Sequence, residues 1–513
     1  MTCWDDGYVT DIGYLNSFSR EMTPSWLAMT ALLMGHRPPD LSRPFRYADL
    51  GCGTGVTTVT VAATCSQAEV WGFDFNPTHV ESARRLAERA GLENATFVET
   101  SFADLARRAD RDLPEFDFIV SHGVLSWISP ANRHHLIDLI GQRLRPGGLA
   151  YLGYNAAPGW ASMVPIRALM RLLLLGSEER SDLAVPGILD VLDRIKQAGA
   201  LYFQRHPMLD QHLAGIRQRD PRYVAHEYLN EDWHPLMFAE VADEMARAKC
   251  TFIGSTGLSN NIESVSVPAA FAPLLAEARD LYLKETLRDI ACAQSLRKDL
   301  YRRGVTPLLP GEHRELLDAL SIIGVGTPIE DEIKFTTATG SVVGQPEIYR
   351  PLLAMLENGP VSAKEARNSE GLAGRPEADT MVAFAMLVAG GYALPQLPLG
   401  ASTTARALNL AVAEHNACGG ELGCLVAPAV GGAIPVGLVE HFIVGAILED
   451  QSCDVNQLAD RVITQLARGG RAVMQDGQPV TEPEKARRII ADIVRTTLTQ
   501  RGRAFRLLGI LDD

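Results

Sequence analysis

The chain is poor in the features that mark metal-bound, membrane-spanning and nucleic-acid-gripping proteins. Its eight cysteines, Cys3, Cys52, Cys65, Cys250, Cys292, Cys418, Cys424 and Cys453, include no Cys-x-x-Cys pair, so no zinc knuckle and no resident metal is expected. Cys418 and Cys424 bracket Gly419-Gly420-Glu421-Leu422-Gly423, which has the composition of a turn. Scattered thiols fit a reducing, cytoplasmic setting. The opening Met1-Thr2-Cys3-Trp4-Asp5-Asp6 has neither the basic start nor the apolar core of a secretory leader. The most apolar run, 425–448, is interrupted by Pro428, Pro435, Glu440 and His441, and no transmembrane segment is expected. Positive charge is also scarce. No lysine precedes Lys196, and the net charge is -14. That balance argues against a general electrostatic grip on nucleic acid or anionic lipid, so no nucleic-acid partner is expected. Neither an internal repeat nor a low-complexity tract occurs. The length, 513 residues, suits roughly three globular domains.

What the chain does contain is Tyr47-Ala48-Asp49-Leu50-Gly51-Cys52-Gly53-Thr54-Gly55, which reads as a strand running into a glycine-rich turn. Asp74 follows at the end of a second apolar run, Val70-Trp71-Gly72-Phe73, with Phe75 beside it. This is the layout of a nucleotide-type cofactor site at the edge of an open parallel sheet. The pattern is D-x-G-x-G-x-G rather than G-x-G-x-x-G. A carboxylate at Asp49 repels a phosphate and suits a ligand that carries an amino group and no phosphate. S-adenosyl-L-methionine is such a ligand. Asp49, Gly51, Cys52, Gly53, Thr54 and Gly55 are then the cradle, and Asp74 is placed to accept hydrogen bonds from ribose hydroxyls.

Residues 46–155 alternate between strand and helix patterns. Strands are expected at 46–50, 69–73, 95–98, 116–121 and 150–154, and helices at 57–65, 77–90 and 132–144. That alternation predicts an α/β fold, a doubly wound Rossmann-like sheet closed on both faces. Ligands bind such sheets at the carboxyl ends of the strands. There the third strand places Ser101 and Phe102, to hydrogen-bond and stack on adenine. The fourth places His122, with Trp127 just beyond, under the reactive sulfonium. Residues 1–30 are rich in aromatics, among them Tyr8, Tyr14 and Trp26. A helix starting at Thr23-Pro24 reads as a packing helix or as part of a lid. The six-residue spacing of Tyr8 and Tyr14 fits no single helix face and favours a lid crossing the strand ends.

These motifs, with Arg145-Pro146-Gly147-Gly148 before the fifth strand, resemble the class I S-adenosylmethionine-dependent methyltransferases. More narrowly, the chain resembles the bacterial methyltransferases that carry a methyltransferase regulatory domain, a group that includes protein-lysine methyltransferases of outer-membrane proteins. The narrower resemblance rests on Tyr8-Val9-Thr10-Asp11-Ile12-Gly13-Tyr14, on Tyr154-Asn155 with Pro158-Gly159-Trp160, and on His226-Glu227-Tyr228-Leu229-Asn230-Glu231-Asp232. In that group the last stretch packs and positions a regulatory helical domain. The resemblance implies methyl transfer to lysine side chains of a protein substrate by in-line displacement. Tyr14, His122, Trp127, Tyr154 and Asn155 are the candidate catalytic residues: aromatics to desolvate the amine, hydroxyls or Asn155 to orient it, His122 as a possible base. A small-molecule O- or N-methyltransferase is the alternative, and a non-catalytic cofactor-binding regulatory or assembly protein is another.

Four domains are expected: a cofactor-binding domain with its lid at 1–159, a helical regulatory domain at 160–305, a winged-helix-like module at 306–400 and a mostly helical C-terminal domain at 401–513. The densely apolar run 163–175 suits an intramolecular core, a domain interface or a homodimer contact. The basic run 294–303 reads as a solvated helix face, and is the best local candidate to meet an acidic partner.

Overall fold

In a computed structural model, which describes residues 7–13, 16–304, 307–397 and 403–512, seven strands form one sheet. They are β1 (Phe45–Leu50), β2 (Ala68–Asp74), β3 (Ala95–Glu99), β4 (Phe116–His122), β5 (Leu144–Asn155), β6 (Cys250–Ser255) and β7 (Leu296–Arg303). Their order is β3-β2-β1-β4-β5-β7-β6. Pairings among β1 to β5 are parallel, and β7 runs antiparallel to both β5 and β6. The five expected strand windows fall inside β1 to β5. Tyr47, Ala48 and Leu50 of β1, Phe118 to Val120 of β4 and Leu149 to Leu152 of β5 are all buried. A sheet covered by helices on both faces requires such near-continuous apolar strands. The fold is the Rossmann-like methyltransferase fold, with a mostly helical remainder.

Two strands of this sheet come from the region expected to be wholly helical. The run 294–303 is not a solvated helix face: its residues Leu296–Arg303 are β7, between β5 and β6. Its charges hide a strand because they are neutralised in the interior. Arg297 and Asp299 are buried, and the Arg297 guanidinium donates to Asp299 at 2.9 Å, to Asp289 at 2.6 Å and to Glu285 at 3.0 Å. Its carbon sits 4.4 Å from the centre of the Phe238 ring. A buried arginine is tolerated when each face of it is paired. The boundary expected at residue 159 therefore does not separate the sheet from a helical unit. The helices between Ala157 and Arg247 are an insertion between β5 and β6.

The helix Pro24–Leu33 packs into the body and is not a lid. Trp26, Leu27, Met29 and Ala31 are buried, and Trp26 Nε1 donates to the carbonyl of Thr256 beyond β6 at 2.8 Å. The stretch before it crosses the insertion. Val9 N–H donates to Asn230 Oδ1 at 2.8 Å, Glu231 N–H to the Gly7 carbonyl at 2.7 Å, and Asp11 accepts from Ser181 N–H and Oγ at 2.8 Å. Further on, the helices Pro346–Asn358, Ala363–Arg367 and Glu377–Ala389 precede the strand Ala393–Pro395, in the expected succession. They surround a three-stranded antiparallel sheet centred on Ser321–Gly324. The module shares one core with Leu425, Ile434 and Phe505, so it does not stand apart from the C-terminal region. The helix Thr403–Ala417 lays Ala405, Leu408 and Val412 against Val56, Val59 and Val80, which backs the helix that follows the glycine turn.

Candidate active site

The turn after β1 can be built only with glycine at two positions. Gly51 has φ +81°, and a Cβ there would lie 2.4 Å from Val124 Cγ2. Gly55 has φ +75°, and its Cβ would lie 2.4 Å from Ala83 Cβ. Both conformations are left-handed, which other residues adopt at a cost. The turn is fixed to β2 by Gly51 and Cys52 N–H groups donating to the Phe73 carbonyl at 2.8 and 3.0 Å. A cavity opens above it, lined by Asp49, Gly51, Cys52, Gly53, Thr54, Asp74, Phe75, Ser101, Phe102, His122 and Trp127, among others. All the expected cofactor-binding residues except Gly55 therefore meet in one place. Gly55 lies behind the wall, against Ala83.

Asp49 is 2% exposed. One carboxylate oxygen accepts from Thr58 Oγ1 at 2.6 Å, and the other has no partner among the described residues. Burial pushes its carboxyl up to about 7; the Thr58 hydrogen bond opposes the shift and the Asp74 charge adds to it. A buried acceptor left unpaired at the cavity wall fits a ligand that brings its own cation, as the methionine ammonium of S-adenosylmethionine does. Asp74 is also buried, but well partnered. It accepts from Gly53 N–H at 2.8 Å and from Asn76 N–H at 2.9 Å, and lies 3.2 Å from His79 Nδ1. These contacts aim the carboxylate at the cavity and leave lone pairs for hydroxyl donors. Ser101 has another task besides any contact with adenine: it caps the helix Phe102–Asp112, accepting from Asp104 N–H at 3.1 Å and donating to Asp104 Oδ2 at 2.9 Å.

The candidate catalytic residues separate. His122 Nδ1 is 2.7 Å from the Tyr151 hydroxyl, with the two rings stacked. Burial, with the Lys298 charge nearby, lowers the imidazole to about 4; Glu21 opposes the shift. It is neutral at pH 7 and too weak a base to take a proton from an ammonium. Trp127 lines the cofactor cavity and also an adjoining chamber shared with Tyr8, Tyr223, His226 and Glu227. Tyr154 is in neither. It is fully buried, and its hydroxyl donates to Asp299 Oδ2 at 2.7 Å within the Arg297 cluster. Successive strand residues point to opposite faces, which turns Tyr154 away from the neighbouring Asn155. Asn155 Nδ2 donates to Glu227 Oε1 at 3.3 Å, so it reaches the chamber through Glu227. Tyr14 lies outside the described residues.

Several lining residues carry signals that sequence reasoning passed over. Asn76 caps the helix Pro77–Arg89, accepting from Thr78 N–H at 2.9 Å, and thereby sets His79 on its first turn beside Asp74. The stretch His226-Glu227 entered the sequence reading only as part of the resemblance to the regulatory-domain group, not as a site. Its carboxylate in fact lies at the wall of the second chamber, on the helix Pro221–Tyr228.

A glycine turn after the first strand, a ribose-height carboxylate after the second and an unpaired acid for an ammonium define the class: an S-adenosylmethionine-dependent methyltransferase of the Rossmann-like type. Residues 48–148 match the family described as "Methyltransferase domain", and residues 220–303 the one described as "Predicted methyltransferase regulatory domain". A protein of Synechocystis, sll1526, which is uncharacterized, is 33% identical over 94% of both chains. Trans-aconitate 2-methyltransferase of Methylobacterium radiotolerans is 32% identical over 32% of this chain and 56% of its own. Among solved structures, PKMT2 from Rickettsia typhi in complex with AdoHcy aligns over 97% of this chain and 100% of its own, with TM-score 0.71 and 21% identity, a likeness of fold. The chain belongs to the class I methyltransferases that carry a methyltransferase regulatory domain.

Among the described residues, no helix is long and apolar enough to cross a membrane.

Proposed function

We propose that the protein transfers the methyl group of S-adenosylmethionine to lysine side chains of a protein substrate. The observation that carries this reading is the chamber beside the cofactor cavity. Tyr8, Trp127 and Tyr223 supply aromatic wall, and Glu227 is the one carboxylate among its lining residues. Aromatic faces with an anion suit a cationic amine. When bound, the cofactor would supply an electrophilic methyl on a sulfonium, with a neutral thioether as its leaving group. The chain's own residues do the rest. Asp49 would pair with the methionine ammonium, Asp74 would hold the ribose, and Gly51 with Val124 shapes the floor. The aromatic wall strips water from the entering amine, which lowers the cost of its neutral form. The chamber's position beside the cofactor cavity suits a side chain presented by a polypeptide, and the fold shared with PKMT2 agrees with that reading.

A small carboxylic acid is the second reading, motivated by the partial likeness to trans-aconitate 2-methyltransferase. Glu227 opposes it, because an anionic acceptor would meet a like charge in the chamber. The test is incubation with methyl-labelled cofactor and fractionated cell lysate. Label in protein bands supports the lysine reading. Label confined to small-molecule fractions overturns it, and cofactor binding without transfer to any fraction favours a regulatory protein.

A further inference from the structure

We propose that Glu227 receives the acceptor ammonium and takes its proton, with Asn155 holding the carboxylate in position. The inference deepens the amine reading above and rests on it. It starts from how this protein treats its other enclosed acids. Glu244 is met by Arg133, and Glu285, Asp289 and Asp299 are met by Arg297. An enclosed carboxylate without a cation pays a desolvation penalty that folding alone does not repay. Asp49, Asp74 and Glu227 stand outside that pattern, with no arginine or lysine within ion-pair distance among the described residues, and each lines a cavity; Asp74 is held instead by two backbone N–H groups and His79. Asp49 faces the cofactor cavity, where the methionine ammonium is its fitting partner. Glu227 has the same chemistry in the adjoining chamber, and its fitting partner is a second ammonium, that of the acceptor.

The surroundings hold Glu227 ready rather than neutralise it. Asn155 Nδ2, at the end of β5, is the hydrogen-bond donor to its Oε1. Tyr223, His226 and Tyr228 belong to its own helix, Tyr8 comes from the N-terminal segment, and Arg219 precedes the helix. Burial raises its carboxyl to about 7, while the Asn155 hydrogen bond and the Arg219 charge oppose the shift. A group titrating near 7 can accept a proton from a partly desolvated ammonium and return it to solvent. His122 does not compete, because burial lowers its imidazole to about 4. The step balances: one N–H bond of the ammonium breaks, the proton goes to a Glu227 oxygen, and the electron pair stays on the nitrogen as its nucleophilic lone pair. The proton on Glu227 then leaves to water.

The test uses the full chain saturated with AdoHcy and n-butylamine as a mimic of the lysine side chain. Calorimetric titration from pH 6 to 9 compares the parent protein with Glu227→Gln and Glu227→Asp. The parent is expected to bind n-butylammonium more tightly as pH rises through about 7. Glu227→Gln is expected to bind about tenfold more weakly or worse, with that rise abolished. Glu227→Asp keeps part of both, and AdoHcy affinity is unchanged in either variant. Equal binding and the same pH profile in Glu227→Gln would overturn the role of Glu227 and leave the amine reading standing. Failure of the parent itself to bind n-butylammonium would overturn the amine reading. A carbon-13 NMR titration of Glu227 in the parent needs no variant: a midpoint near 7 agrees with the proposal, and one in the ordinary carboxylate range overturns it.

Discussion

Replacing Asp49 by Asn separates two opposed effects of one buried acid. In the cofactor-free protein the carboxyl titrates at about 7 against an ordinary value of 3.8. At 1.36 kcal/mol per unit, keeping it ionised above pH 7 costs the folded state about 4 kcal/mol at most. The folded-state value is the higher of the two, so the protonated form is the stabilised one. Its contribution is complete below the unfolded value near 4 and disappears as pH rises through about 7. Asp49→Asn should therefore raise the melting temperature of the free protein at pH 8, by progressively less as pH falls, and change it little below pH 4. Cofactor binding should respond in the opposite sense. The methionine ammonium selects the ionised acid, so affinity for S-adenosylmethionine in the parent should rise about tenfold per pH unit up to about 7. It should fall again as the ligand's own amine deprotonates near 8. In Asp49→Asn that rise vanishes, and affinity at pH 7.5 drops by about 1.5–3 kcal/mol. Calorimetry at five pH values in buffers of different ionisation enthalpy measures both the affinity and the proton released. Parent affinity that does not change between pH 5.5 and 7.5, or Asp49→Asn binding as tightly as the parent at pH 7.5, would refute the pairing of Asp49 with the ammonium.

Asp74→Ala should weaken cofactor binding by about 1.5–3 kcal/mol, and it should also lower stability, because Gly53 N–H and Asn76 N–H lose their acceptor; calorimetry and chemical denaturation read the two losses separately. Gly51→Ala should cost about 1–3 kcal/mol in denaturant unfolding, and Val124→Ala should recover part of it by removing the Cγ2 atom 2.4 Å from the new Cβ. Arg297→Ala strands Glu285, Asp289 and Asp299 and should cost about 3–5 kcal/mol at pH 8. That cost should shrink below pH 6, since Asp289, pushed up to about 6 mainly by burial, is relieved by protonation; an equal loss at pH 5 and pH 8 would count against the buried-cluster account.

The cofactor half of the site was legible in the sequence because its determinants are local. Asp49, the glycines and Asp74 sit at strand ends that apolar runs announce, and Gly51, Gly53 and Gly55 all occupy left-handed positions. The acceptor half was not legible in the same way. Glu227 and Tyr223 reach the chamber from an insertion whose packing on the sheet no local pattern encodes. Tyr154 was misplaced for a related reason: the sequence puts it next to Asn155, and the pleat sends the two to opposite faces. β7 was missed because Arg297, Lys298 and Asp299 read as surface. Only the partners Glu285 and Asp289, on a helix earlier in the chain, make a buried strand of them. The fold and cofactor were thus readable from periodicity and turns, while the acceptor chemistry depends on long-range charge pairing.

Acid hydrolysis of protein labelled by the purified enzyme and methyl-labelled S-adenosylmethionine identifies the residue that takes the methyl group. The account predicts ε-N-methylated lysine as the labelled amino acid, formed by the parent and lost in both Asp49→Asn and Glu227→Gln. Label released as base-labile methyl ester, or recovered only in free organic acids, would contradict it.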